Sequence, residues 1–338
     1  MYLCFMIFIT GGTGLVGSHI LLKLSQDNIP FKSLKREESS LQICKEVFAH
    51  YNSSELFDSI NWVNGDINDI PSLEEGMQTC DKLIHAAAIV SFKKEDSELL
   101  QKVNVEGTEN VMNVALSSSI KKVAYISSIA TLGRTSTSDI VNEDCMFQLS
   151  DKESNYAVSK YHAEQEVWKS SQEGLDVVIL NPSVILGPGD WTKGSSQIFE
   201  KIYKKLKFYT PGSTGYVDVI DVANCAVKLL NSDIINERFI INGENLKYKQ
   251  LLDLISDGFN VKKPTILVTP FLKEIAWRAE WLKSLITGKS ALITKETADF
   301  AMRDSYYSTS KIEDSIAYKF TPIKESIKKY CVWFLSRV

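Results

Sequence analysis

Tyr156 and Lys160 stand four residues apart in the stretch SNYAVSKYHAEQEV. On a helix that spacing puts a phenol and an amine on one face, within reach of a common ligand. An ammonium beside a phenol favours phenolate and draws the tyrosine pKa down, which suits a proton carrier for interconverting a carbonyl and an alcohol. Such pairs also occur on ordinary exposed helices, so this one gains weight only from its surroundings. Upstream, VAYISSIATLG reads as a strand ending in Ser127 and Ser128, which sets a hydroxyl at the carboxyl edge of a sheet. Earlier still, FITGGTGLVGSHI places Gly11, Gly12, Gly14 and Gly17 directly after an apolar run.

Three pieces of chemistry this far apart in sequence need a scaffold that gathers strand ends. Short apolar runs at Phe5–Thr10, Phe31–Leu34, Ile60–Val63, Lys82–Ala86, Val123–Ser127 and Val177–Asn181 alternate with helical patterns. That alternation predicts βαβ units and an α/β, Rossmann-type, doubly wound parallel sheet, which binds ligands at the carboxyl ends of its strands. The glycines then fall at a strand-to-helix turn, with the helix starting near Gly14. There a side chain would block a pyrophosphate from the backbone N–H groups, and Gly12, Gly14 and Gly17 also fit GxGxxG. The turn residues Gly11, Gly12, Thr13, Gly14, Leu15, Val16 and Gly17 are thus the candidate dinucleotide cradle. Apolar runs at Tyr216–Val222 and Arg238–Asn242 return to the same domain, giving residues 1–182 plus 216–242 for the dinucleotide-binding part. Residues 183–215 plus 243–338 remain for a smaller, mostly helical C-terminal substrate lobe.

The end of the second strand chooses between NAD and NADP, because a carboxylate there holds a ribose hydroxyl and a cation holds a 2′-phosphate. FKSLKREESS offers Lys35 and Arg36 first, which favours NADP, with Glu37 keeping NAD as the alternative. Asp66 in NGDIND could accept from the adenine amino group or simply close a turn. No His/Cys cluster has metal-ligand spacing, so no metal is expected. The net charge of −4 argues against nucleic acid, and no apolar run is long enough to span a bilayer. The apolar start MYLCFMIFIT lacks a basic leader region and reads as a buried first strand. Six scattered cysteines without a CxxC pair read as reduced thiols in the cytoplasm.

Taken together and in this order, TGGTGLVGSH, GDI, HAAAIVSF, VNVEGTENV, YISSIATLG, YAVSK, NPSVILGPG and YVDVIDVA resemble the extended short-chain dehydrogenase/reductase family, of NAD-dependent epimerase/dehydratase type. The chain is most similar to its dihydroflavonol-4-reductase-like and 3β-hydroxysteroid-dehydrogenase-like branch. The resemblance implies that Tyr156 is the acid/base and that Lys160 tunes it and holds the nicotinamide ribose. It makes Ser128, five residues before Gly133, the carbonyl-binding serine, and Asn104 an active-site asparagine, although a buried asparagine tying two elements together would look the same. Asp66 with Ile67, Ala86 with Ala87 and Ala88, and Pro182 with Val184 would line the cofactor, while His85 reads as a packed strand residue. Asp221 reads as structural, holding the sheet to its neighbouring helix. A homodimer through the helices at 99–117 and up to 170 is implied as well, with Val103, Val111 and Val114 as apolar support.

Departures from the family narrow the chemistry. The acidic pair of sugar-nucleotide dehydratases is replaced by Ile129 and Ala130, and the arginine of many nucleotide-sugar epimerases is missing where Thr214, Gly215 and Tyr216 stand. Threonine is a poor substitute for a bidentate phosphate clamp. The expected function is therefore an NAD(P)-dependent reductase or dehydrogenase of a small or medium apolar carbonyl or alcohol, with a sugar epimerase holding NAD tightly as the alternative. An NADP-sensing regulatory protein is the non-enzyme alternative, which the intact Tyr/Lys pair argues against. Trp277 and Trp281, four apart, mark a packed lid helix or a lipid-facing one.

Overall fold

The computed structural model describes residues 6–133, 140–150, 153–274, 277–278 and 295–337. Cys4, the start of the predicted strand at Phe5, and Trp281 lie outside them. In chain order the strands are β1 (Ile7–Thr10), β2 (Phe31–Lys35), β3 (Asn61–Asn64), β4 (Lys82–His85), β5 (Lys122–Ile126), β6 (Ile140–Val141), β7 (Asp176–Pro182), β8 (Val184–Leu186), β9 (Phe208–Tyr209), β10 (Ser213–Asp218), β11 (Glu237–Ile241) and β12 (Glu244–Lys247). The helices used below are α1 (Leu15–Gln26), α2 (Gln42–His50), α3 (Ser54–Asp58), α4 (Ile70–Met77), α5 (Ser97–Leu100), α6 (Gly107–Ser117), α7 (Asn155–Gln172), α8 (Gln197–Tyr203) and α9 (Val219–Leu230).

Seven parallel strands make the central sheet, in the order β11-β7-β5-β4-β1-β2-β3. Side chains alternate across it with period two, and the apolar pattern follows. Ile7 and Ile9 face a core shared with α1 and α9, whereas Phe8 faces one built from Leu73, Met77, Val111 and Ala163 on α4, α6 and α7. Ala124 and Ile126 go to the first layer and Val123 and Tyr125 to the second. The strand order reverses between β1 and β4, so a crevice opens at their carboxyl ends, where this fold takes its ligands.

Three sequence expectations change. The run Tyr216–Val222 is not one strand: Tyr216–Asp218 end β10, which lies in a separate three-stranded sheet, β12-β10-β8. The Asp218 carboxylate then accepts from Ile220 N at 2.8 Å and caps α9, turning the chain. Asp221 is structural, but it joins α9 to the C-terminal segment rather than to the sheet, accepting from Tyr318 Oη at 2.8 Å and Thr321 N at 2.8 Å. Val111 and Val114 are 0% and 4% exposed in the subunit's own core, so neither is free to meet a second copy. The last helix, Ile323–Leu335, adds Ile327, Tyr330 and Phe334 to the cluster that holds Ile7 and Ile9, so residues from both expected parts share one core.

Candidate active site

The glycine turn joins β1 to α1 and lies against the end of β4. Gly11 has φ +78°, and a Cβ there would come within 2.5 Å of Ala86 C and Ala87 N. A Cβ on Gly17 would stand 2.0 Å from Gly11 O. Both glycines are therefore demanded by the fold itself. Gly14 differs: it is exposed, and a Cβ on it would meet nothing nearer than Gly11 O at 3.5 Å. It is the N-cap of α1 and offers no side chain to the first-turn amides. Bare backbone that packing does not require, at the positive end of a twelve-residue helix, fits a dinucleotide pyrophosphate.

Around that turn lie the other predicted cofactor residues. Lys35 Nζ, at the end of β2, donates to Asn64 Oδ1 at 2.7 Å, and Arg36 makes an open surface pair with Glu38 at 3.2 Å. Asp66 closes a turn, its Oδ1 accepting from Asn68 N at 2.8 Å, with Ile67 buried behind it. Ala87 and Ala88 follow β4 into the crevice. Pro182 ends β7 and Val184 begins β8, so the chain passes from the large sheet to the small one between them.

Ser154 caps α7 by accepting from Ala157 N at 3.1 Å, and that cap sets the helix to carry Tyr156 and Lys160 inward. Burial pushes the Tyr156 phenol pKa up, opposed by a hydrogen bond from Ser128. Lys160 is buried, which lowers its pKa to about 7 against the pull of Glu164. Its Nζ donates to Tyr125 Oη at 2.7 Å and to Ile126 O at 2.9 Å. The pair shares a face, as the spacing predicts, but the amine is turned to the end of β5 and the expected downward pull on the phenol is not realised in this arrangement. Phe92 closes one side, its ring edge-on to Tyr156 at 5.5 Å.

The two serines separate cleanly. Ser127 Oγ donates to Glu164 Oε2 at 2.5 Å in the interior, whereas Ser128 accepts from Ala130 N at 3.1 Å and faces Tyr156. Asn104 sits in a π-helical stretch, Gln101–Glu106, between α5 and α6. Its amide brackets Ile89, accepting from N at 2.8 Å and donating to O at 3.0 Å, and donates to Ser159 Oγ at 3.0 Å. It is thus a buried tie between two elements of the site. Glu164, which sequence reading passed over, binds Ser127, Thr131 and Asn181 and pairs with Arg238 at 3.3 Å while 1% exposed. Its position four residues beyond Lys160, on the same face, was the available signal.

Residues 7–241 match the family model described as the NAD dependent epimerase/dehydratase family. The chain belongs to that family. As a member that keeps the Tyr/Lys pair it is an NAD(P)-dependent oxidoreductase. It is 29% identical to a protein of Synechocystis sp. provisionally named dihydroflavonol 4-reductase, over 98% of this chain and 94% of that one. Among solved structures it is similar to that of gox2253, with TM-score 0.81, 28% identity and 98% of each chain covered. It also superposes on the UDP-glucose 4-epimerase of Thermotoga maritima with TM-score 0.76, covering 98% of this chain and 99% of that one, where 17% identity speaks for the fold alone.

Proposed function

We propose that the protein reduces a ketone or aldehyde, or oxidises the matching alcohol, on a small or medium apolar molecule, with NADP as its preferred cofactor. The observation that carries the reading is the Ser128 hydroxyl against the Tyr156 phenol, in the fold whose crevice begins at the glycine turn. Residues Gly11 to Gly17 would hold the pyrophosphate, Lys35 and Arg36 the 2′-phosphate, and Lys160 the nicotinamide ribose. When bound, the reduced dinucleotide supplies the hydride to the carbonyl carbon. Ser128 donates a hydrogen bond to the carbonyl oxygen, and Tyr156 delivers its hydroxyl proton to that oxygen as the C–O double bond becomes single. The resulting phenolate is stabilised by the Lys160 ammonium. Phe92 and the exposed Val90 beside it give the opening an apolar rim suited to an apolar carbonyl.

The test is NADPH consumption against a panel of aromatic aldehydes, aromatic ketones and steroid-like ketones. Tyr156→Phe is expected to lower kcat by about 10²- to 10⁴-fold while leaving dinucleotide affinity nearly intact. A variant keeping more than about a tenth of the rate would remove Tyr156 from the role. Protein that carries tightly held NAD and consumes no NADPH would turn the reading to an epimerase, although the position of the missing clamp arginine is filled by the buried Thr214, Gly215 and Tyr216.

Cofactor preference has its own measurement. The Arg36 pair with Glu38 is solvent-exposed and weak, so a 2′-phosphate can displace the carboxylate. Wild type is expected to prefer NADPH by about tenfold or more, and Arg36→Ala to lose most of that preference without losing NADH. Equal or tighter NADH binding by the wild type would assign the ribose hydroxyls to Glu37 or a neighbour. The five described cysteines are all buried and unpaired, which supports a reducing, cytoplasmic setting. A homodimer stays a proposal from the resemblance, with half-exposed Leu99 on α5 as its outward apolar residue, and light scattering at micromolar concentration decides it.

A further inference from the structure

Thr10, His85 and Tyr125 lie abreast at the carboxyl ends of three adjacent strands: register pairs Thr10 with His85 and His85 with Tyr125. All three are buried, and the His85 and Tyr125 rings stack at 5.4 Å. A polar chain runs along this row. Thr10 Oγ1 is 2.6 Å from His85 Nδ1, His85 Nε2 is 3.0 Å from Thr108 Oγ1, and Thr108 is also hydrogen-bonded to Tyr125. Tyr125 Oη then accepts from Lys160 Nζ at 2.7 Å.

Every proton in this chain can be assigned. Thr108 spends its single hydroxyl proton on Asn104 O at 2.6 Å, so its oxygen is an acceptor for the other two contacts. His85 is held neutral by burial, its pKa lowered to about 3. Its one ring proton must therefore sit on Nε2, facing Thr108, and Nδ1 accepts from Thr10. The Tyr125 hydroxyl proton likewise points at Thr108, which leaves the Tyr125 oxygen as an acceptor toward Lys160. Donation converges on Thr108 from both sides and leaves it only into a backbone carbonyl. Such a chain cannot pass a proton along; it can only fix an acceptor in place.

We propose that Tyr125 is a positioning residue for Lys160, its oxygen locked as an acceptor by Thr108 and His85 so that the amine is held charged at the end of β5. The proposal rests on the reading in which Lys160 tunes Tyr156. The groups facing Lys160 are Glu164 and Tyr156 on its own helix, His85 from β4 and Tyr125 from β5. Among these only Tyr125 is hydrogen-bonded to the amine. An acceptor fixed toward an amine favours the ammonium over the neutral form, because the ammonium is the stronger donor.

The test titrates Lys160 directly in the cofactor-free protein, using ¹³Cε-lysine labelling and NMR, with the signal assigned by its loss in Lys160→Met. Tyr125→Phe removes only the hydroxyl and is expected to move the Lys160 midpoint down by about one pH unit, a tenfold loss of proton affinity. Thr108→Val frees the Tyr125 proton to turn toward the amine and is expected to shift the midpoint the same way, while Thr108→Ser restores the wild-type value. A Tyr125→Phe protein that folds and keeps the wild-type midpoint overturns the proposal. If Tyr125→Phe does not fold, equal midpoints in the two Thr108 variants overturn it instead. Failure of the functional reading looks different: Tyr156→Phe would then keep its turnover whatever Lys160 does.

Discussion

Removing either hydroxyl at the end of β5 deletes a single oxygen, yet the two losses are felt in different places. Ser127→Ala takes a donor from Glu164, a buried carboxylate that also serves Thr131, Asn181 and Arg238. It is expected to cost about 1–3 kcal/mol of stability, read from denaturant unfolding, with kcat largely kept. Ser128→Ala leaves that network intact and is expected to keep stability while lowering kcat about 10²-fold or more, the scale of losing one donor to the reacting oxygen. A Ser127→Ala enzyme as inactive as Ser128→Ala would undo the division. The choice of Ser128 was legible because its distance from Gly133 matches a known pattern. Glu164 was not, since a lone acid on a helix reads as solvent-facing until Arg238, 74 residues on, is folded against it.

At the level of elements, the glycine turn separates what the fold needs from what a ligand needs. Gly17→Ala drives a Cβ into Gly11 O and is expected to destabilise the protein strongly. Gly14→Ala has room, so the melting temperature is expected to stay close to wild type while dinucleotide affinity falls about tenfold or more, as measured by titration of NADPH fluorescence. Unchanged affinity in Gly14→Ala would remove the pyrophosphate from that turn. The strands of the large sheet were legible because each is a short apolar run buried on both faces. β10 was hidden, since its apolar residues run on without a break into α9 and only the Asp218 cap divides them. The π-helical stretch at Asn104 was hidden too. One residue's worth of extra backbone leaves no mark in composition, although such turns concentrate at functional sites.

For the molecule as a whole, burial of His19 and His85 sets the response to acid. Burial lowers their pKa values to about 4 and about 3, below the ordinary 6.5. Between those values and 6.5 the unfolded chain binds more protons than the folded one, so stability is lost as pH falls through 6.5. Two such groups give a slope of roughly 2–3 kcal/mol per pH unit near pH 5. Lys160 does not enter there, because it is protonated in both states at that pH. Thermal unfolding between pH 7.5 and 5 is expected to show a steady fall, and a flat profile would mean that the imidazoles are not buried as described.

The last helix closes the core that the first strand opens. His50 lies flat on Trp333 at 3.6 Å, Arg337 reaches Glu46 at 3.2 Å, and Phe334 joins the cluster of Ile7 and Ile9. During synthesis the nucleotide-binding half therefore emerges from the ribosome with part of its apolar surface still uncovered, and it stays so until Leu335 is out. A nascent chain stalled short of that point is a client for chaperones, and a chimera that takes its substrate lobe from a relative has to keep Ile323–Leu335 with the recipient.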